Sequence, residues 1–558
     1  MRNLILLIFV AFIIPWTSTA QTPQYLIKLR DKNGTPYSVS KPGEFLSPRS
    51  IERRARQQIP VVENDLPVNP AYLDSIRSVE NVTIRNVSKW LNQVCIETND
   101  ATALDKISAF TFVLTSRQVR RQALLLPELK NKLETDLKES AGMRGGRGVN
   151  GLDYGVSSGQ ITIHKGNFLH DKGYRGQGVL ISVIDAGFTA YKSLPAFDSV
   201  RNQGRIIDTY DFVANKTEVN DAHSHGMYCF SIIVANVPGQ MIGSAPNASF
   251  LLYRSEDGIY ESPAEEQNWV VAAERSDSAG ADIITTSLGY TTFDNPVFNH
   301  TYADMDGKTT IMAKGAAIAA TKGMILLNAA GNDGNKPWHY IGTPADAIGT
   351  LSVGAVDING NPGVFSSNGP SADGRQKPEV SSVGVATFVQ GPGGTFVSGN
   401  GTSFATPNLA GLVACLWQAF PEFSSVEIMD YVIRSSNHYT NPDYKTGYGI
   451  PDFELAFTML EKEKARRFAE KVLNGGNIAV YPNPFANRAQ IAIKPVNSGE
   501  FSIMLYDITG KLCYSSTEVL VGGEPGIVSI QRPGLARGVY ILKVQNGQEK
   551  YVQKVLVH

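Results

Sequence analysis

Between residues 179 and 356 the chain sets short, almost continuously apolar runs between longer stretches of mixed character. The runs VLISVID, SFLLYR, DIITTSLG, MILLNAAGN and IGTLSVGAV are β-rich and too short for ordinary helices. Between them, AEEQNWVVAAERSD and TIMAKGAAIAATKG read as helices. Strands apolar on both faces and separated by helices predict a parallel sheet covered on both sides. The pattern changes toward the C-terminus. A charged helix, LEKEKARRFAEKVL, is followed by short alternating runs with turn signals: IAVYPNPF, QIAIKP, FSIMLYDITGKL, GVYILKVQ and KYVQKVLVH. Such a series predicts a small β-sandwich over residues 478–558. Ahead of the parallel sheet, residues 21–140 mix charge with short strands and include a basic helical patch, RSIERRARQ. They end in a glycine-rich stretch, AGMRGGRGVNG, that reads as a flexible, cleavable linker.

At the N-terminus, Arg2, an apolar run from Leu4 to Ile14 and the small residues Ser18 and Ala20 form the three parts of a secretory signal, with cleavage expected after Ala20. The run falls short of the roughly 18–20 residues that span a bilayer. The expected organisation is a signal at 1–20, a leading segment with its linker at 21–152, an α/β domain at 153–461, a linker helix at 462–477 and a β-sandwich at 478–558. A length of 558 residues with 42 % hydrophobic and 18 % charged content allows several packed cores. A net charge of −1 gives no reason to expect a nucleic acid or an anionic membrane as partner. Cys95, Cys229, Cys415 and Cys513 are far apart, without metal-ligand spacing, and read as buried free thiols.

Three strand or helix ends carry candidate chemistry. Asp185 closes the run VLISVID, at the edge where open α/β sheets bind ligands. His225 stands before a glycine and an apolar helix; it is favoured over His223 because Gly226 leaves room beside the ring. Ser403, in NGTSFATPNLAG, stands at a helix start, where free N–H groups and a partial positive charge gather. Pro407 is tolerated there if it lies in the first turn. Asn332, in a glycine-flanked turn after a strand, offers an amide donor. Each residue alone has an ordinary structural role as cap or turn former.

Together, the order Asp, His, Ser is one of the known orders of the serine triad. ISVIDAGF, HGMYC, GSAPNASFLLYR, SLG, AAGNDG, VGAVD, FSSNGP, KPEV and GTSFATPNLAG follow one another as in the subtilisin-like serine proteases, which the chain resembles over roughly residues 160–457. The resemblance implies a three-layer α/β domain, with Asp185, His225 and Ser403 as catalytic residues and Asn332 as oxyanion donor. Ser287, Leu288 and Gly289 would pair with the substrate backbone. Ser287, Gly289, Ala329, Ala330 and Gly331 would line the main specificity pocket. Ala186, the Met227–Tyr228 pair and the Ser382–Val383 pair depart from the family's usual residues without removing a catalytic group.

FLSPRSIERRARQ, DLPVN and SKWLNQVCIE resemble the α+β pro-segment of exported Bacteroidetes subtilases, expected to assist folding and block the cleft until it is removed near residues 141–153. VYPNPF, LYDITGKL, GVYILKV and the ending KVLVH resemble a type IX secretion sorting domain. The implied protein is a secreted or surface-attached endopeptidase. Its expected partners are polypeptide substrates and the type IX machinery, and its expected state is a monomer. The alternative is a catalytically silent scaffold used for surface binding. The chemistry requires no cofactor and no metal ligand is named; family members often hold structural calcium, but no EF-hand loop is present.

Overall fold

The computed structural model describes residues 22–121, 137–139, 152–531 and 535–558. The signal and the glycine-rich stretch at 141–151 lie outside them. The chain divides into two compact units, Met1–Phe453 and Glu454–His558.

The first unit is built on a seven-stranded sheet in which every pairing is parallel. Its spatial order is Val380–Val383, Thr350–Val356, Ile325–Ala329, Ile283–Thr286, Leu180–Asp185, Ser249–Arg254 and Ile206–Asp211. Leu180–Asp185 and Ile283–Thr286 are buried at every position, so neither shows the polar–apolar alternation of a strand with one wet face. From Leu180–Asp185 the sheet winds one way through Ser249–Arg254, and from Ile283–Thr286 the other way. The carboxyl ends of these two central strands therefore flank a topological switch point, where such sheets open a crevice.

Pro263–Ala279 and Ile311–Thr321 pack together on one face. They approach closely because Gly315 has no side chain: a Cβ there would meet Val270 Cγ2 at 2.5 Å. Thr402–Ala419 contacts His225–Val234 and four of the sheet strands. Pro407 is the sixth residue of Thr402–Ala419, not part of its first turn as expected. Its ring removes the donor that would have served the carbonyl of Ser403 one turn back. That carbonyl accepts instead from Ser287 Oγ at 2.8 Å and Cys229 Sγ at 3.3 Å.

The leading segment forms a four-stranded antiparallel sheet, in the order Thr83–Ser88, Gln93–Glu97, Gln24–Leu29 and Val113–Arg120. It is anchored on the α/β domain through buried charge. Arg53 and Arg54 both reach Asp277, at 2.5 and 2.7 Å, and Arg54 also makes two bonds of 3.0 Å to Asp65. Lys322 reaches Asp65 at 2.9 Å. The buried carboxylate of Glu274 accepts from Ser88 Oγ and from the backbone N–H groups of Lys89 and Trp90. Burial still pushes its pKa up.

In the second unit, a three-stranded and a four-stranded antiparallel sheet share one core that includes Ile491, Phe501, Leu505 and Leu542. Its strands alternate buried and exposed positions, the reason they read as half-apolar. Cys95, Cys229 and Cys415 are buried, but Cys513 is exposed. It occupies a solvent-facing position on the strand Leu512–Leu520, which lies at the edge of its sheet. Among the described residues no helix is long and apolar enough to cross a membrane.

Candidate active site

Asp185 ends its strand completely buried. Its Oδ1 accepts from His225 Nδ1 at 2.8 Å and from the Ala186 N–H at 2.7 Å. His225 is the first residue of its helix, and its own N–H donates to His223 Nδ1 at 3.1 Å. His223 thus supports the start of this helix, while His225 pairs with the carboxylate. Gly226 is required here: a Cβ would lie 2.5 Å from the Gly187 carbonyl oxygen and 2.8 Å from Asp185 Cβ. Burial lowers the imidazole pKa, but the Asp185 carboxylate outweighs it and holds His225 well above its ordinary value. Cys229, one helical turn on, lies 4.0 Å from His225 Nδ1, with its thiol pKa pushed up by burial. The donor atoms of Asp185, His225 and Cys229 lie within 4.8 Å of one another, a spacing that could also hold a metal ion.

Ser403 is the second residue of its helix, so its N–H is among those with no intrahelical acceptor. Its hydroxyl donates to the Ser287 carbonyl at 3.1 Å. The Ser287 hydroxyl in turn donates to the Ser403 carbonyl. Ser287 therefore holds the residue carrying the hydroxyl, a contact the sequence did not disclose. The Asn332 carbonyl oxygen accepts from both the N–H and the hydroxyl of Thr402, each at 3.0 Å. These bonds engage Oδ1 and orient Nδ2 away from Thr402. Thr402 Oγ1 also accepts from the Gly331 N–H at 3.2 Å.

His225, Asn332 and Ser403 line one open cavity of 570 Å³. Ser287, Leu288, Gly289, Ala329, Ala330 and Gly331 line it too, so all the residues singled out except the buried Asp185 face one space. Sequence reasoning missed Glu256, Glu261, Asp333, Lys336, Gly342 and Thr402 in the same wall. Thr402 could have been found from its place beside Ser403. Glu256 and Glu261 fall in a loop whose course the sequence does not reveal.

Residues 176–449 match the model of the subtilase family, peptidase S8. The central segment is a subtilase domain. Residues 24–135 match the peptidase S8 propeptide domain of Bacteroidota, and residues 479–558 match a secretion system C-terminal sorting domain. Subtilisin DY of Bacillus licheniformis is 27 % identical over 303 residues, 53 % of this chain and 97 % of that protein. Subtilisin E of Bacillus subtilis strain 168 is 29 % identical over 309 residues, 55 % of this chain and 71 % of that protein. M-protease of Shouchella clausii is 26 % identical over 292 residues, 51 % of this chain and 66 % of that protein. This subtilase is a serine endopeptidase with a pro-segment ahead of its catalytic domain and a sorting domain behind it. The sorting domain marks it as an exported protein.

Proposed function

We propose that the protein is a secreted endopeptidase acting through Asp185, His225 and Ser403, with an acyl-enzyme intermediate. The observation that carries this reading is the 2.8 Å His225–Asp185 hydrogen bond beside a cavity into which His225, Ser403 and Asn332 all face. A serine hydroxyl is a weak nucleophile and needs a neighbouring base. Ser403 Oγ donates to the Ser287 carbonyl rather than to the imidazole, and the mechanism requires it to turn to His225, a contact that commonly tightens only when substrate is bound. As Oγ attacks the scissile carbonyl carbon, His225 takes its proton. Asp185 fixes the ring tautomer and stabilises the imidazolium.

The tetrahedral oxyanion is bound by the Ser403 N–H and Asn332 Nδ2. His225 then protonates the leaving amine, the C–N bond breaks, and water attacks the acyl-enzyme with His225 again as base. The edge Ser287–Leu288–Gly289 pairs with the substrate main chain, and the small residues Ala329, Ala330 and Gly331 leave room for a side chain. The triad supplies the chemistry without a cofactor. The pro-segment holds the enzyme latent, and the sorting domain carries it through type IX secretion to the surface or the medium. A fluorophosphonate serine probe tests the centre: labelling of the active protein is expected and should vanish in Ser403→Ala. Labelling that persists in that variant, or none at all, would refute it.

A further inference from the structure

One wall of the cavity is the loop after the strand Ser249–Arg254, which contributes Glu256 and Glu261. The two residues beside them, Asp257 and Tyr260, hold a cation that belongs to the pro-segment. Arg120 Nη2 lies 2.7 Å from Asp257 Oδ2, and the guanidinium carbon lies 5.3 Å from the centre of the Tyr260 ring. The Arg120 and Asp257 side chains are only 12 % and 13 % exposed. The loop is braced from behind, since the Asp257 N–H donates to the buried Glu265 at 2.6 Å.

A carboxylate against one side of a guanidinium and an aromatic face against another form a matched receptor for that group. Its present occupant is temporary on the reading above, because the pro-segment leaves on activation. The other cation at this corner, Arg85, is also a pro-segment residue, bonded to the Val213 carbonyl. Both positive charges therefore depart together. Arg254, which ends the strand ahead of this loop, is itself paired with Asp211 at 2.9 Å.

The direction of the chain says which part of a substrate would reach this corner. The pro-segment meets the loop at Arg120. Eighteen residues later the chain lies beside the strand leading to Ser403, with Lys138 opposite Ser398 and Glu139 opposite Val397. In chain order the loop is met first and the strand ahead of Ser403 second, the order in which a substrate laid along the same direction would bring its residues N-terminal to the cleaved bond to the loop.

We propose that Asp257 and Tyr260 form a guanidinium subsite of the mature protease, which takes an arginine side chain of the polypeptide substrate N-terminal to the cleaved bond. Arg120 is the stand-in that fills it before activation. Glu256 and Glu261 extend the negative wall toward the catalytic centre and draw the cation in. This inference rests on Ser403 being the nucleophile of this cleft.

The test uses the active enzyme that forms from the full-length chain, with active molecules counted by fluorophosphonate labelling. Quenched peptides carry arginine or norleucine in turn at each of several positions before the cleaved bond. At one position arginine should raise kcat/KM by at least about tenfold, the scale of a charge-assisted hydrogen bond. That ratio should fall to within about threefold in Asp257→Asn and shrink in Tyr260→Leu. In the uncut chain, Arg120→Ala should speed the appearance of activity. Ser403-dependent cleavage with no arginine preference, or with a preference intact in Asp257→Asn, overturns the subsite alone. Absence of labelling and cleavage in the unmodified enzyme overturns the reading of the cleft, and the subsite with it.

Discussion

His225 carries the pH behaviour of the proposed mechanism. Its folded-state pKa is raised above the ordinary 6.5 by Asp185, against the effect of burial. The protonated imidazole cannot act as base, so kcat/KM should fall with decreasing pH, with an acid limb centred above 6.5. Asp185→Asn removes the charge that raises the pKa. The limb should move to lower pH while the rate on the plateau drops sharply. A limb left in place, read from kcat/KM profiles, would mean that another group titrates. Asn332 permits a second expectation at this scale. Asn332→Ala should lower kcat about 10²–10³-fold with little change in KM, the size expected for one oxyanion donor. Thr402→Val should give a smaller loss, because it removes one of the two bonds that orient the amide. Equal effects on kcat and KM in steady-state assays would point to general damage.

At the scale of the element, the helix Thr402–Ala419 contains an internal conflict. Proline in a helix interior costs about 3 kcal/mol, yet it stands in the second turn of this one. The cost is partly offset because the orphaned Ser403 carbonyl finds the Ser287 hydroxyl and the Cys229 thiol. The same contacts fix the residue that carries the nucleophile. Pro407→Ala supplies a helical donor that competes for this carbonyl. The thermal midpoint should rise while kcat falls, KM being less affected. Calorimetry paired with kinetics decides: a higher midpoint with unchanged kcat would separate the proline from the site.

Across the whole molecule, the pro-segment and catalytic domain are joined by charges that neither could bury alone. Arg53, Arg54, Asp65, Asp277 and Lys322 are almost fully enclosed. Removing one member leaves an uncompensated buried charge, typically at a cost of about 3–5 kcal/mol. Arg53→Met should therefore destabilise the uncut chain by an amount in that range and release the pro-segment earlier. Denaturation of the Ser403→Ala background, where self-cleavage is blocked, measures it. A change below about 1 kcal/mol would place this network among weak surface pairs.

How far the sequence reached can be judged from particular residues. The parallel sheet was legible because Leu180–Asp185 and Ile283–Thr286 are buried on both faces, which leaves β-rich runs without a two-residue polar alternation. The sandwich was legible for the opposite reason: one face is wet. Asp185, His225, Asn332 and Ser403 stand at the ends of regular elements, where local pattern and chain order identify them. Cys513 was misread because a single residue type does not report which face of a strand it occupies. Pro407 was misplaced because its cost is met by Ser287 and Cys229, which are distant in sequence. The sequence by itself determined the elements, their periodicity and the residue types able to perform the chemistry, since these follow from neighbours along the chain. Only the tertiary structure decided that Ser287 grips Ser403, that Thr402 orients Asn332 and that Arg120 is held by Asp257 and Tyr260 on the loop whose Glu256 and Glu261 line the cleft. These contacts join residues tens to more than a hundred positions apart, and their geometry exists only once the sheet has brought them together.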